Sequence, residues 1–516
     1  MKFVEHPLVR KGSLESRLYQ EAILGRAVEN DLLCVLPTGL GKTPIAIVLA
    51  VFRLEKCPDS KILILAPTKP LIEQHLNSFK EVIDLPEKDF VLLTGMVKPG
   101  EREESYRDSK IIFATPQTVK NDLENKRLGL EDFSLIVFDE AHHSMGDYAY
   151  PYIARNYLEN ARNPRILGLT ASPGGTKEKI KEIMKNLGIE SVEIRTEEDF
   201  DVAPWVKKKQ VEWVHVDLPQ AFFNIGESLR KAYEYRLKQL RKLGFSKPIR
   251  LVTKRELLDL QKKLASSGSG YTKFWGVSLV SQAIKAEHAI SLIETQGISS
   301  LEIYFKKLRS EKAKSSKSLI KDRNVKKAMY LTGELSEEGF RHPKINKLCE
   351  IVGKQFKKNP DSKIIVFANY RNMVREIAKV LSEVKNSKPV EFMGQREGLT
   401  QKEQKKRIEE FRGGEYNIMV TTSVGEEGID IPEMELAVFY EPVPSEIRSI
   451  QRRGRVGRTK LGRIMILITR KTRDEAYYWV AQRKERVMKK TLYEMKGEPE
   501  GLLGKDRKKQ LDLSNF

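Results

Sequence analysis

Cysteine is scarce. Cys34, Cys57 and Cys349 are the only three in 516 residues, they stand far apart, and none sits in a CxxC pair. This excludes a disulfide-stapled scaffold and a cysteine-based zinc site. Long apolar runs are missing as well. No stretch approaches the ~20 residues a membrane-spanning helix needs, and the opening MKFVEHPLVRKG lacks the apolar segment of a signal peptide. The expectation is an intracellular, cytoplasmic chain with no membrane partner. Acidic residues are outnumbered: 92 Lys+Arg face 71 Asp+Glu, a net charge of +21. Such a surplus calls for a polyanionic partner, nucleic acid first. Apolar residues, at 40%, still suffice for several packed cores, and at ~150 residues per domain the length predicts about three domains.

Hydropathy divides the chain. Up to residue 205, short apolar runs at 32–37, 62–67, 111–116, 135–140 and 166–171 alternate with helical patterns, and each run ends in a turn. The same alternation returns from 342, at 363–370, 389–394, 417–423, 436–442 and 463–469. Strand–helix alternation predicts an α/β fold, here two doubly wound parallel-sheet lobes at 1–205 and 342–494. In such sheets ligands bind at the carboxyl ends of the strands. Residues 206–341 read instead as long helices. Over 207–341, 28 Lys+Arg stand against 14 Asp+Glu, so about a quarter of the length carries +14 of the +21. This is a basic helical insert between the lobes. Residues 495–516 read as a tail or linker.

Two strand ends carry chemistry. The first strong strand runs into Thr38-Gly39-Leu40-Gly41-Lys42-Thr43 and then into a helix. Glycines there let backbone N–H groups converge on phosphate oxygens at the positive end of a helix. Lys42 is placed to reach the β/γ-phosphates and Thr43 to ligate Mg²⁺. The strict P-loop pattern also has a glycine five residues before Gly41, where this chain has Leu36. The strand LIVF then delivers Asp139 and Glu140 to its carboxyl end. Adjacent carboxylates suit a Mg²⁺ ligand followed by a base for the attacking water. In the second lobe, Gln451-Arg452-Arg453-Gly454-Arg455-Val456-Gly457-Arg458 places two glycines among four arginines. Glycines at fixed offsets suggest a shaped turn that aims guanidinium groups at one point, as a γ-phosphate in transit requires.

The P-loop together with Asp139-Glu140-Ala141-His142 resembles helicase superfamily 2 in its DEAH-type form. Gln20, in RLYQ, matches that family's adenine-reading glutamine, and Thr170-Ala171-Ser172 matches its coupling motif. The resemblance implies two RecA-like lobes with ATP and Mg²⁺ between them. By the same resemblance, Arg455 and Arg458 are arginine fingers, Gln451 helps place water, and Asp430, in TTSVGEEGIDIP, faces the nucleotide ribose or the arginines. Nucleic-acid grips are expected at Thr68, Thr94, Gly95, Thr115 and Pro116 on the first lobe. Gly394, Gln395, Thr421 and Thr422 are their counterparts on the second. Hydroxyls and backbone N–H groups of this kind hold phosphate without reading bases.

A basic helical insert narrows the resemblance to the subgroup of archaeal Hef, the Fanconi anaemia M translocase, Dicer's helicase module and the double-stranded-RNA sensors. The run 392–458 is most similar to the Hef and Fanconi M branch. This implies a helicase or translocase for branched or forked DNA, nucleoid-associated if archaeal, and continuation into a nuclease module for which this chain shows no motif. Two alternatives stand beside it. One is a double-stranded-RNA translocase, since nothing in the motifs separates DNA from RNA. The other is an ATP-gated scaffold, against which the intact Glu140, Arg455 and Arg458 argue. Finally, Gln510, Leu513 and Phe516 in the tail resemble the sliding-clamp-binding peptide of replication and repair proteins, without its second aromatic.

Overall fold

The computed structural model describes residues 3–206, 210–245, 247, 252–266, 271–394, 400–422, 434–442 and 462–496. The first lobe is a seven-stranded sheet: β1 (Leu32–Val35), β2 (Lys61–Leu65), β3 (Phe90–Leu93), β4 (Ile111–Ala114), β5 (Phe133–Phe138), β6 (Ile166–Thr170) and β7 (Ser191–Ile194). Its order is β3-β4-β2-β5-β6-β1-β7, and every pairing is parallel. Helices cover both faces, so the strands must be apolar on both sides. Leu32 and Cys34 accordingly join one core cluster, and Leu33 and Val35 join the other. All five predicted strands are present; β3 and β7 stand in addition to them.

The second lobe holds β8 (Gln210–Val216), β9 (Ile364–Phe367), β10 (Pro389–Phe392), β11 (Ile418–Thr421), β12 (Leu436–Phe439) and β13 (Arg463–Thr469), in the parallel order β10-β11-β9-β12-β13-β8. One strand departs from the sequence-based division. The segment assigned to the start of the insert at 206 forms β8, which pairs with β13 from Gln210↔Arg463 to Val216↔Thr469. The cause lies in its side chains. Trp213 packs on Tyr478 with ring centroids 4.2 Å apart, while Val214 faces the opposite cluster of the same lobe. The chain therefore completes the edge of the second sheet before it enters the insert.

The insert is helical among the described residues: Gln220–Arg241, Lys254–Ser266, Tyr271–Thr295, Ile298–Ser310, Lys314–Lys321 and Arg323–Glu337. Phe222, Ile225, Leu229, Ile290, Ile293 and Leu301 close its main core. Gly297 separates two of these helices with φ +100°, and a Cβ there would lie 2.9 Å from the Cβ of His342. Only glycine meets both demands. The helix Arg473–Lys496, assigned to lobe 2 by sequence, in fact spans the molecule. Its start joins lobe 2 through a buried Lys344–Asp474 ion pair. Its far end buries Met488, Leu492 and Met495 in the core of lobe 1. There Thr491 Oγ1 donates to Gly175 O (3.2 Å) and the Tyr493 hydroxyl donates to Glu198 (2.7 Å).

Candidate active site

Along the carboxyl edge of the first sheet, β5, β6 and β1 are neighbours. Asp139 and Glu140 follow β5, Thr170-Ala171-Ser172 closes β6, and the glycine loop follows β1. Gly41, at φ +77°, caps the helix Lys42–Lys56. A Cβ on it would fall 2.4 Å from Gln20 Nε2, so glycine serves both the left-handed turn and the close approach. Gln20 is buried and donates to Leu40 O (3.3 Å) and Gly41 O (3.1 Å), and the Tyr19 hydroxyl donates to Leu40 O (2.7 Å). The first helix thus holds the phosphate loop from behind. Lys42 Nζ donates to Leu36 O at 3.0 Å, across the mouth of its own loop. Thr38, Gly39 and Thr43 complete this loop. A cavity of about 690 Å³ beside it is lined by Phe3, Arg17, Gln20, Leu24, Pro44 and Val48.

Asp139 is buried, which opposes ionisation. The neighbouring His75, Lys42 and the Glu140 backbone N–H outweigh that and hold its carboxyl below the usual carboxylate range. Glu140 adopts φ 48° and ψ 51°, a left-handed conformation that costs a non-glycine residue ~1 kcal/mol or more. The chain turns sharply between the two carboxylates as a result. His142 Nδ1 lies 3.2 Å from Glu140 Oε2 and 3.2 Å from Thr170 Oγ1, and joins the carboxylate loop to the end of β6. The Tyr150 hydroxyl donates to Asp139 O at 2.7 Å.

Two oxygen ligands, Thr43 and Asp139, are a suitable donor set for Mg²⁺, which usually keeps several waters and takes its remaining ligands from substrate phosphates. The depressed Asp139 carboxyl supplies the required anion. The other half of the edge, β3-β4-β2, carries the expected grips. Thr68 caps the helix Lys69–Val82 after β2, Thr94 and Gly95 follow β3, and Thr115 caps the helix Pro116–Glu124 after β4. Thr68 Oγ1 has no hydrogen-bond partner. On lobe 2, Gly394 follows β10, and Thr421 ends β11 fully buried with its hydroxyl donated to Thr422 O (3.1 Å). Gln395, Asp430, Gln451, Arg455, Arg458, Gln510, Leu513 and Phe516 lie outside the described residues.

The crystal structure of the Pyrococcus furiosus Hef helicase domain superposes with a TM-score of 0.71 at 46% identity and covers 92% of this chain and 99% of that one. The chain belongs to helicase superfamily 2. Residues 13–175 match the family described as Type III restriction enzyme, res subunit, and 343–460 match the helicase conserved C-terminal domain. Residues 222–339 match a helical-bundle family of ATP-dependent RNA helicases. A Methanocaldococcus jannaschii protein provisionally named an ATP-dependent RNA helicase is 44% identical over 96% of this chain and 63% of its own length. The ATP-dependent DNA helicase mph1 of Sclerotinia sclerotiorum is 33% identical over 89% of this chain and 40% of its own. The chain therefore spans between two fifths and two thirds of these two relatives.

Sequence reasoning missed four residues of this helicase site region: Tyr19, His75, Tyr150 and Arg102. Arg102 makes a bidentate pair with the fully buried Asp122, which also accepts from the Tyr106 hydroxyl at 3.0 Å. These contacts pack the helix Pro99–Asp108, after Thr94-Gly95, against the helix that Thr115 caps. Of the four, His75 had a signal. It shares the buried helical face of Ile72, Phe79 and Val82, and a histidine on such a face requires a polar partner.

Proposed function

We propose that this chain is an ATP-hydrolysing helicase or translocase motor that acts on branched or forked DNA in repair or replication restart. One observation carries the reading. A single sheet edge holds a phosphate loop with Lys42, the Asp139-Glu140 pair and the coupling threonine on adjacent strands, and continues into three hydroxyl-bearing grips. ATP hydrolysis and phosphate gripping then share one rigid element.

The residues act in sequence. Lys42 exchanges Leu36 O for the β/γ-phosphates, and the N-terminus of its helix adds backbone N–H groups. Gln20 and the cavity beside it take the adenine. Thr43 and Asp139 hold Mg²⁺, which neutralises charge on the β- and γ-phosphates when bound. Glu140 accepts a proton from the attacking water, and Arg455 and Arg458, with Gln451, supply charge and water placement from lobe 2. Asp430 faces the ribose. Thr68, Thr94-Gly95 and Thr115-Pro116 grip one stretch of backbone, and Gly394-Gln395 and Thr422 grip another, with Thr421 supporting Thr422 from a buried position. The insert adds phosphate contacts along a duplex arm. Lys306, Lys307, Lys312 and Lys314 are exposed there, although Lys306 also pairs with Glu302 at 2.6 Å.

A motor on chromosomal DNA works inside the cell, in the cytoplasm or nucleoid; no described helix is long and apolar enough to cross a membrane. The tail residues Gln510, Leu513 and Phe516 are proposed to dock on a sliding clamp. Binding of a tail peptide to the clamp, lost on Leu513→Ala, Phe516→Ala, tests this. A second reading has its own support: the insert matches a family of RNA helicases, which favours double-stranded RNA. ATPase assays with fork DNA, double-stranded RNA and no nucleic acid separate the readings. Strongest stimulation by fork DNA is expected. Stronger stimulation by RNA would transfer the proposal to RNA, and no turnover with any of them would leave only the scaffold.

A further inference from the structure

The carboxyl edge of the first sheet divides between β2 and β5. On one side stand the expected nucleic-acid grips, on the other the nucleotide residues. The helix Lys69–Val82 begins at the boundary, at the end of β2, with Thr68 as its cap. Phe79 fixes the helix edge-to-face against Phe113 of β4, centroids 5.1 Å apart. His75 lies in the middle of this buried face and is 4% exposed. Its Nε2 is 2.7 Å from Asp139 Oδ2. Facing a carboxylate oxygen, Nε2 carries the hydrogen and donates. Nδ1 is buried with no hydrogen-bond partner. A half-satisfied imidazole on an apolar face is destabilising compared with a leucine of similar size. Its bond to Asp139 is the compensating contact.

We propose that His75 is a positioning residue for the proposed Mg²⁺ ligand Asp139, and that it mechanically joins this carboxylate to the helix that starts at the nucleic-acid grip Thr68. The proposal rests on reading Asp139 as a Mg²⁺ ligand. With one carboxylate oxygen held by His75 and a further bond from the Glu140 backbone, Asp139 cannot rotate freely. A group that orients a ligand in this way commonly contributes as much to metal affinity as a tuned ligand does. The path is short. His75 stands seven residues beyond Thr68, about 10 Å along the helix axis. The same helix carries Glu73, which pairs with Lys405 of lobe 2 at 2.9 Å. A shift of this helix, whether driven by phosphate at Thr68 or by lobe 2 at Glu73, reaches Asp139 through one hydrogen bond.

The test uses the full chain with His75→Leu, His75→Gln and Asp139→Asn. Binding of a fluorescent ATP analogue is titrated with Mg²⁺, with and without fork DNA, and folding is checked by melting without nucleotide. His75→Leu is expected to raise the Mg²⁺ midpoint about 10-fold or more, whereas His75→Gln, whose amide N–H reaches as far as Nε2, stays within about 3-fold of the wild type. The shift of the midpoint by DNA is expected to vanish in His75→Leu and to survive in His75→Gln. A folded His75→Leu with the wild-type midpoint overturns the proposal, as does a folded His75→Gln as impaired as His75→Leu. If Asp139→Asn moves the midpoint and His75→Leu does not, only the role of His75 fails. If Asp139→Asn leaves the midpoint unmoved, the ligand reading fails with it.

Discussion

Lys344→Met is expected to destabilise the protein severely, for a reason visible in one ion pair. Lys344 is 0% exposed and Asp474 1% exposed, and they form a direct ion pair. Asp474 also accepts the Thr469 backbone N–H at 3.0 Å, and Lys344 Nζ lies 5.3 Å from the centroid of the Tyr440 ring. Methionine fills nearly the same volume as lysine without the charge. What remains is a buried carboxylate with a single backbone donor. Removing one partner of such a pair costs about 3–5 kcal/mol. At ~2–4 °C per kcal/mol for a lobe of this size, the melting temperature falls by ~6–20 °C. Lys344→Met, Asp474→Leu removes both charges and is expected to recover most of that loss, because an apolar pair of similar volume is often as stable as a buried ion pair. Scanning calorimetry of the wild type, both single variants and the double variant at one pH and salt gives the coupling. A Lys344→Met protein that melts within ~2 °C of the wild type, or a double variant whose loss equals the sum of the singles, would refute the reasoning.

Lys42→Ala is expected to abolish nucleotide-dependent activity, measured as ATP turnover, because the phosphates lose their main countercharge. Glu140→Gln should keep ATP binding while ATPase falls ~10²-fold or more; retention of more than a few per cent would remove Glu140 as the base. Arg455→Ala or Arg458→Ala should also bind ATP, with kcat reduced ~10³-fold or more. Acid stability should depend on His342. Burial and the neighbouring Lys344 push its pKa down to about 3, against the opposing bond to Glu294 O. The unfolded chain protonates below about 6.5 and the folded chain does not, so stability present above that pH is lost as pH falls towards 3, by up to ~1.4 kcal/mol per unit. Denaturant melts from pH 7 to 5 should show this slope, and His342→Asn, which keeps a capping acceptor, should flatten it. Replacing Lys306, Lys307, Lys312 and Lys314 with neutral residues should weaken fork binding and reduce its salt slope by ~0.9 per lost phosphate contact, with basal ATPase retained.

The strands that carry chemistry were legible because each joins an apolar run to a turn of marked composition. LLCV before Thr38-Gly39 and LIVF before Asp139 show both signals together. β3 and β7 were less visible, since FVLL and SVEI are short and partly exposed. The assignment of β8 failed for a different reason. Its alternating pattern is a sound strand signal, but the partner, β13, lies some 250 residues further on, and local periodicity does not encode partners. The long helix Arg473–Lys496 misled in the same way, because Met488, Leu492 and Met495 read only as apolar positions until lobe 1 supplies their neighbours. In the site, the motifs gave the residues that meet nucleotide, and they could not give the residues behind them. Tyr19, Tyr150 and His75 each act through a backbone carbonyl or a carboxylate far away in sequence.

The contacts around the insert decide with which lobe its charge travels. Gln296 bonds Glu441 and Ser299 bonds Glu376, both on lobe 2. His342 caps the first helix of lobe 2 through Nδ1, and its Nε2 donates to Glu294 O of the insert at 3.2 Å. Arg473, at the start of the long helix, pairs with Glu287 of the insert. Most of these groups are buried, so separating the insert from lobe 2 would strand polar atoms without partners, at a cost of ~1–3 kcal/mol each. By contrast, the listed side-chain bridge between the grips' helix and lobe 2, Glu73–Lys405, is partly solvent-exposed and worth ~1 kcal/mol or less. When the cleft closes on ATP, the weaker joint yields first. The basic insert then moves with lobe 2, and the long helix, anchored in lobe 1 by Met488 and Leu492, sets how far that movement can go.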